Sequence, residues 1–195
     1  MIAAKILAFA GALRVQSWNK KLVRLGAAAA EQAGGEVTLI DLRDFPMPIF
    51  DGDIETSEGL PRYAGELKAL MVSSDAFLLS CPEYNSSITA VLKNCIDWIS
   101  RPQPNEPPAY AFKGKVAALL AASPGNLGGI RGLFTVRQVL TTLGVVVLPT
   151  QFTLSHAAGA FNDDGSLKEA GHQASLAAVT SSLVAVAGKL AVRPA

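Results

Sequence analysis

Four residues near the start of the chain carry the first chemical suggestion: Gly11, Arg14, Ser17 and Asn19, in the segment GALRVQSWN. A cation, a hydroxyl and an amide follow a glycine at short spacing, and a helix-like sequence begins at once. A strand, a tight loop and a helix N-terminus together form an anion cup. The first N–H groups of a helix are unpaired, and the helix dipole adds partial positive charge there. Arg14 can add a forked pair of charge-assisted hydrogen bonds to a phosphate. Two readings stand side by side: a seat for the phosphate of a nucleotide or flavin, and an ordinary strand-to-helix loop with a surface arginine.

Two later segments supply different chemistry. Pro82, Glu83, Tyr84 and Asn85 combine a rigid turn, an aromatic plate and an amide. A planar heteroaromatic ring needs such a stacking surface, with backbone hydrogen bonds at its edge. The plainer alternative is a strand end with a surface tyrosine. Ser123, Gly125, Asn126, Gly128 and Gly129 form a glycine-rich loop. Glycines let a backbone approach a flat ligand closely and adopt positive φ; a flexible turn would look the same. The loop is not the G-x-G-x-x-G fingerprint, and no acidic residue stands where a ribose would be gripped, so a permanently seated NAD(P) is not expected.

Other reactive side chains suggest less. His156 and His172 lie in different segments, so neither a metal site nor a hydrolytic dyad is expected. Cys81 and Cys95 lack metal spacing and form no disulfide framework, which points to a reduced, cytoplasmic compartment. Inert packing is expected of Cys81, since thiol activation needs an exposed, electropositive setting. The chain has 195 residues, 50% hydrophobic and 17% charged, with a formal net charge of +1. That composition suits one domain spanning 1–195, argues against disorder, and offers no electrostatic case for nucleic acid. The first apolar run faintly resembles a signal peptide but completes a first strand better. Residues 176–190 are apolar, yet short and interrupted by polar groups, so no membrane span is expected.

The elements that position these loops alternate along the chain. Strands are expected at 4–10, 36–41, 75–81 and 115–122, and a fifth begins at 145–148, where Pro149 interrupts it. Helices are expected at 18–33, 62–73, 88–100, 130–143 and 168–190. Residues 42–55 and the proline-rich 101–111 read as loops. Short apolar strands separated by helices make an α/β fold: a flavodoxin-like, doubly wound, five-stranded parallel sheet, order 2-1-3-4-5, with helices on both faces. In that topology the three chemical segments fall at one sheet edge, outside the carboxyl ends of strands one, three and four.

With these motifs in place, the chain resembles the NADPH-dependent FMN reductase family. The family's first loop, G-S-x-R-x-x-S-x-N, is matched by Gly11, Arg14, Ser17 and Asn19. Its P-E-Y-N turn and L-K-N-x-I-D-W helix are matched by Pro82, Glu83, Tyr84 and Asn85 and by residues 92–98, and its third loop by residues 123–129. The resemblance implies FMN with its phosphate on Arg14, Ser17 and Asn19 and its ring against residues 82–85 and 123–129. It also implies NADPH or NADH as transient hydride donor, and a quinone, metal oxyanion, azo compound or flavin as acceptor. The chemistry would belong to the flavin, with no catalytic side chain, and the subunits would form a homodimer or homotetramer. Two residues depart from the pattern. Ala12 replaces a serine, removing a phosphate hydrogen bond of about 0.5–1.5 kcal/mol. Thr89 stands where many relatives carry proline. A flavin-binding electron carrier, a regulatory module, or a relative that has lost FMN are the alternatives.

Overall fold

Near-continuous apolar runs bounded by glycine, proline or polar residues build the sheet. The computed structural model describes residues 3–191. Its strands are β1 (Lys5–Ala10), β2 (Glu36–Leu39), β3 (Ala76–Ser80), β4 (Val116–Ala122), β5 (Val146–Val147) and β6 (Phe152–Leu154). Its helices are α1 (Trp18–Gln32), α2 (Gly52–Glu58), α3 (Arg62–Ser73), α4 (Ala90–Ile99), α5 (Ile130–Thr142) and α6 (Ala170–Leu190). Every strand pair is parallel, and the order is β2-β1-β3-β4-β5, with β6 also on β4. The flavodoxin-like order read from the sequence is therefore the order of the fold.

Residues alternate between the two faces with period two, as strand geometry requires. Ile6, Ala8, Leu78 and Leu120 pack with Leu22, Val23, Leu176 and Leu183 beneath α1 and α6. Leu7, Phe9, Phe77 and Leu119 pack with Leu67, Leu92, Ile96 and Leu133 beneath α3, α4 and α5. Both faces being covered is why β1, β3 and β4 read as continuous apolar runs.

Two features differ from the sequence reading. The expected strand at 145–148 is the first half of an interrupted edge. Val116 and Ala117 pair with Val146 and Val147, and the register resumes at Leu120 with Phe152. Over that gap β4 advances three residues while its neighbour advances five, so the extra chain bulges around Pro149, which has no N–H to donate. The stretch 42–55 is also not simply a loop: a 3-10 turn covers Leu42–Asp44 and α2 covers Gly52–Glu58. Asp51 caps α2 by accepting from the Asp53 N–H at 2.8 Å, and Gly59 ends it at φ 76°. No residue of α2 is buried, so it left no apolar period to detect.

The L-K-N-x-I-D-W helix explains how this excursion is held. Asn94 accepts from the Phe50 N–H at 2.7 Å and donates to the Pro48 carbonyl at 2.8 Å. The Trp98 indole N–H donates to the same carbonyl at 2.8 Å, and its ring meets Phe50 edge-on at 4.9 Å. The helix α6 is longer than the apolar stretch 176–190: at 21 residues it is long and apolar enough, by length and composition, to cross a membrane. Its Leu176, Val179, Leu183 and Ala187 nevertheless pack into the core on α1 and β4.

Candidate functional site

Three loops leave the carboxyl ends of β1, β3 and β4 and converge. The first is pinned from below. Gly11 donates to the Ser80 carbonyl at 2.9 Å, and its own carbonyl accepts from the Thr89 hydroxyl at 2.7 Å. A Cβ on Gly11 would stand 3.0 Å from that of Leu92, so a side chain here would press the loop away from α4. Thr89 also accepts from the Leu92 N–H at 3.3 Å, capping α4 while holding the first loop. Ala12 is buried among the residues beneath α1.

The first turn of α1 is left open. Ser17 is its N-cap residue, with extended backbone (φ −78°, ψ 128°), yet its hydroxyl makes no capping bond. The leading N–H groups of α1 therefore have no side-chain acceptor, which is the condition under which a helix start binds an anion. Arg14 is exposed beside it, with its guanidinium carbon 5.5 Å from the Trp18 ring centroid. Trp18, which the sequence alone does not single out, also lines the site. Beneath the loop, buried Lys20 donates to Asp41 at 2.6 and 2.7 Å and to the Leu13 carbonyl at 3.4 Å. Partial burial pushes the Asp41 carboxyl up, but the Lys20 hydrogen bond and the Arg43 N–H outweigh it and leave it below its ordinary range.

Asn19 is used differently from its neighbours. Its side chain is buried and bonded to Ser80 and Ala122, at the ends of β3 and β4. It ties the ends of β3 and β4 to the start of α1; the resemblance implies a place for Asn19 on the phosphate.

In the second loop, Tyr84 and Ser87 exchange backbone hydrogen bonds at 3.0 Å each. Between them Asn85 and Ser86 hold φ of 50° and 66°, the sign pattern of a type I′ turn. The turn leaves Tyr84 57% exposed. Glu83 turns inward. Its carboxylate accepts from the Arg131 N–H at 3.0 Å, the Gly132 N–H at 3.3 Å and the Arg131 Nε at 2.7 Å, so it caps α5. Burial raises the Glu83 carboxyl, but Arg131 and these N–H groups bring it below its ordinary value.

The third loop is built on β6. The Ser123 N–H donates to the Leu154 carbonyl at 3.0 Å, and the Ser123 hydroxyl accepts from the Gly125 N–H at 3.2 Å. Gly128 (φ 62°) and Gly129 (φ 92°) are needed for closeness: a Cβ at Gly129 would stand 2.9 Å from that of Ala121. Asn126 is exposed at the loop's tip.

Where the loops meet is an open slot of about 100 Å³, lined by Arg14, Ser17, Trp18 and Asn19, by Pro82, Glu83 and Tyr84, and by Ala122, Ser123 and Pro124. Gly11, Asn85, Gly125, Asn126, Gly128 and Gly129 do not line it. Larger cavities lie between α1 and α6 (520 Å³) and beside β2 (370 Å³), but neither joins an open helix start to an aromatic plate. Cys81 and Cys95 are free thiols that burial pushes up to about 12, so neither is a thiolate near neutral pH.

Comparison with known proteins supplies the deciding observation. Residues 4–159 match the family described as NADPH-dependent FMN reductase. The chain belongs to that family. It is 37% identical over 168 residues to an NAD(P)H-dependent FMN reductase of Pseudomonas aeruginosa, covering 84% of each chain. It is 32% identical over 191 residues to an NAD(P)H:quinone oxidoreductase of Solanum tuberosum, covering 95% of this chain and 94% of the relative. A flavoenzyme NAD(P)H:(acceptor) oxidoreductase from Paracoccus denitrificans superposes with TM-score 0.82 at 28% identity, over 97% of this chain and all of that one. An archaeal flavodoxin shares the fold alone, with TM-score 0.63 at 10% identity over 94% of this chain and 99% of that one. This chain is thus an NAD(P)H-dependent flavin oxidoreductase.

The residues of the reductase fit FMN. The uncapped start of α1, the unused Ser17 hydroxyl and Arg14 form a donor set for a phosphate dianion, and the slot above opens onto Tyr84. When bound, FMN supplies two-electron hydride chemistry.

Proposed function

We propose that this reductase oxidises NAD(P)H and delivers the two electrons to a quinone, giving NAD(P)⁺ and a hydroquinone with uptake of one proton. In this reading Arg14, Ser17 and the first N–H groups of α1 hold the phosphate, and residues 82–85 and 123–129 flank the ring. The observation that carries the acceptor class is the exposed apolar groups on the three convergent loops: Leu13 (51% exposed), Val15 (59%) and Leu127 (53%), with Tyr84 (57%) lining the slot itself. A flat, apolar acceptor gains by covering such groups, whereas a metal oxyanion does not. The cation beside the third loop, Arg131, is already engaged by Glu83.

The reading takes the chain as one cytoplasmic domain assembled as a homodimer or homotetramer. Phe134, 58% exposed on α5, is an apolar group such a contact would cover. Steady-state NADPH and NADH oxidation, followed across a panel of benzoquinone, naphthoquinone, chromate, an azo dye and free FMN, tests the acceptor. The largest kcat/KM is expected with a quinone. A chromate or azo value above every quinone would overturn that, and flavin that stays oxidised under NADPH would favour an electron carrier. A stable monomer at micromolar concentration in sedimentation would remove the assembly.

A further inference from the structure

Asn19 is the second residue of α1 and is 3% exposed. A carboxamide so buried needs partners, and all of its own lie outside its helix. Its Nδ2 donates to the Ala122 carbonyl at 2.8 Å. Its Oδ1 accepts from the Ser80 hydroxyl at 2.9 Å and from the Ala122 N–H at 3.0 Å. Ser80 is the last residue of β3 and Ala122 the last of β4. One side chain therefore joins the start of the phosphate helix to the two strand ends that launch the second and third loops. Because Ala122 is held by both its N–H and its carbonyl, the plane from which residues 123–129 depart is fixed as well.

The geometry points to Asn19 as a positioning residue: its carboxamide sets the separation between the phosphate cup and the two bends that flank the flavin, acting through Ser80 and Ala122. This rests on the FMN reading above. FMN is a two-point ligand, with a phosphate at one end of the ribityl chain and the ring at the other. Its affinity depends on both subsites being engaged at once, and a spacing error removes that gain without damaging either subsite. Riboflavin has no phosphate, so it senses only the bends. The ratio of FMN to riboflavin affinity therefore reports the spacing.

The test measures both affinities by flavin fluorescence titration, with unfolding midpoints alongside, for the wild type, Asn19→Ala, Ser80→Ala and the double variant. Ser80 is fully buried and lines no part of the slot, so its hydroxyl can act on FMN only through Asn19. Asn19→Ala is expected to lower the ratio about tenfold, and Ser80→Ala about threefold, as one bond of the three is lost. The double variant should fall no further than Asn19→Ala, because the two changes break the same link. A lowered ratio in Asn19→Ala with an unchanged one in Ser80→Ala would mean that the amide contacts phosphate itself, and would overturn the proposal. Lower midpoints with the ratio intact would reduce Asn19 to a stability role. If Asn19→Ala does not fold, the Ser80→Ala ratio alone decides. A wild type that binds FMN no better than riboflavin would overturn the FMN reading and this proposal with it; normal wild-type preference with unmoved variants overturns this proposal alone.

Discussion

Glu83 and Arg131 link the second loop to the first turn of α5, with the Arg131 Nε 2.7 Å from one carboxylate oxygen while the other accepts the Arg131 N–H at 3.0 Å. The pair replaces the cap that Gly129, with no side chain, cannot supply. The Glu83 side chain is only 7% exposed, so this ion pair is less screened than an ordinary surface one. The folded-state pKa of Glu83 is depressed, so its contribution to stability is complete above its ordinary value of 4.5. That contribution is lost as pH falls below 4.5 and through the lower folded value. Thermal unfolding midpoints from pH 7 down to pH 3 should decline for the wild type. Glu83→Gln should start lower and decline less. Parallel curves for the two proteins would show that other carboxylates set the acid limit.

Arg14 is exposed and holds no carboxylate partner among the described residues. Its role in the proposed phosphate cup therefore predicts a cofactor effect much larger than any stability effect. Arg14→Ala should weaken FMN binding by about ten- to a hundredfold, the scale of a charge-assisted hydrogen bond, and lower the unfolding midpoint of the flavin-free protein only slightly, through the lost contact with Trp18. Fluorescence titration and calorimetry check both halves. Unchanged FMN affinity would put the phosphate elsewhere.

Ala12 stands where the family pattern has serine. Ala12→Ser should strengthen FMN binding by about two- to tenfold, one hydrogen bond's worth. Because the position is buried among apolar side chains, the flavin-free variant should be slightly less stable than the parent. Titration of both proteins under the same conditions checks the sign. Equal affinities would show that no phosphate oxygen lies within reach of residue 12.

Gly129 joins positive φ to a close approach. A methyl there would be forced into the left-handed region and within 2.9 Å of the Ala121 Cβ. Gly129→Ala should cost about 1–2 kcal/mol from the backbone alone, and more from the contact, lowering the unfolding midpoint by several degrees. Gly125 has φ outside the left-handed range and only the Ser123 hydroxyl nearby, at 3.7 Å, so Gly125→Ala should be nearly neutral. Differential scanning calorimetry of the two variants separates them.

The sequence by itself determined the sheet and the edge at which the three loops gather. Strands covered on both faces must be apolar throughout, and that pattern reads directly at residues 4–10, 75–81 and 115–122. It did not disclose α2, whose residues are all outside the core and so lack period. Nor did it disclose the second half of the edge strand, because the register slip at Pro149 is a property of the pairing with β4. The residue types of the proposed cup were legible, since cation, hydroxyl and glycine are local features. Their division of labour was not. Only tertiary structure decided that Ser17 leaves its helix start open while Asn19 spends its amide on Ala122, 103 residues away. Glu83 likewise caps a helix 48 residues downstream. A side chain's type is written in the chain, but its hydrogen-bond partner is chosen by which strand ends the fold brings beside it, and no local pattern encodes that choice.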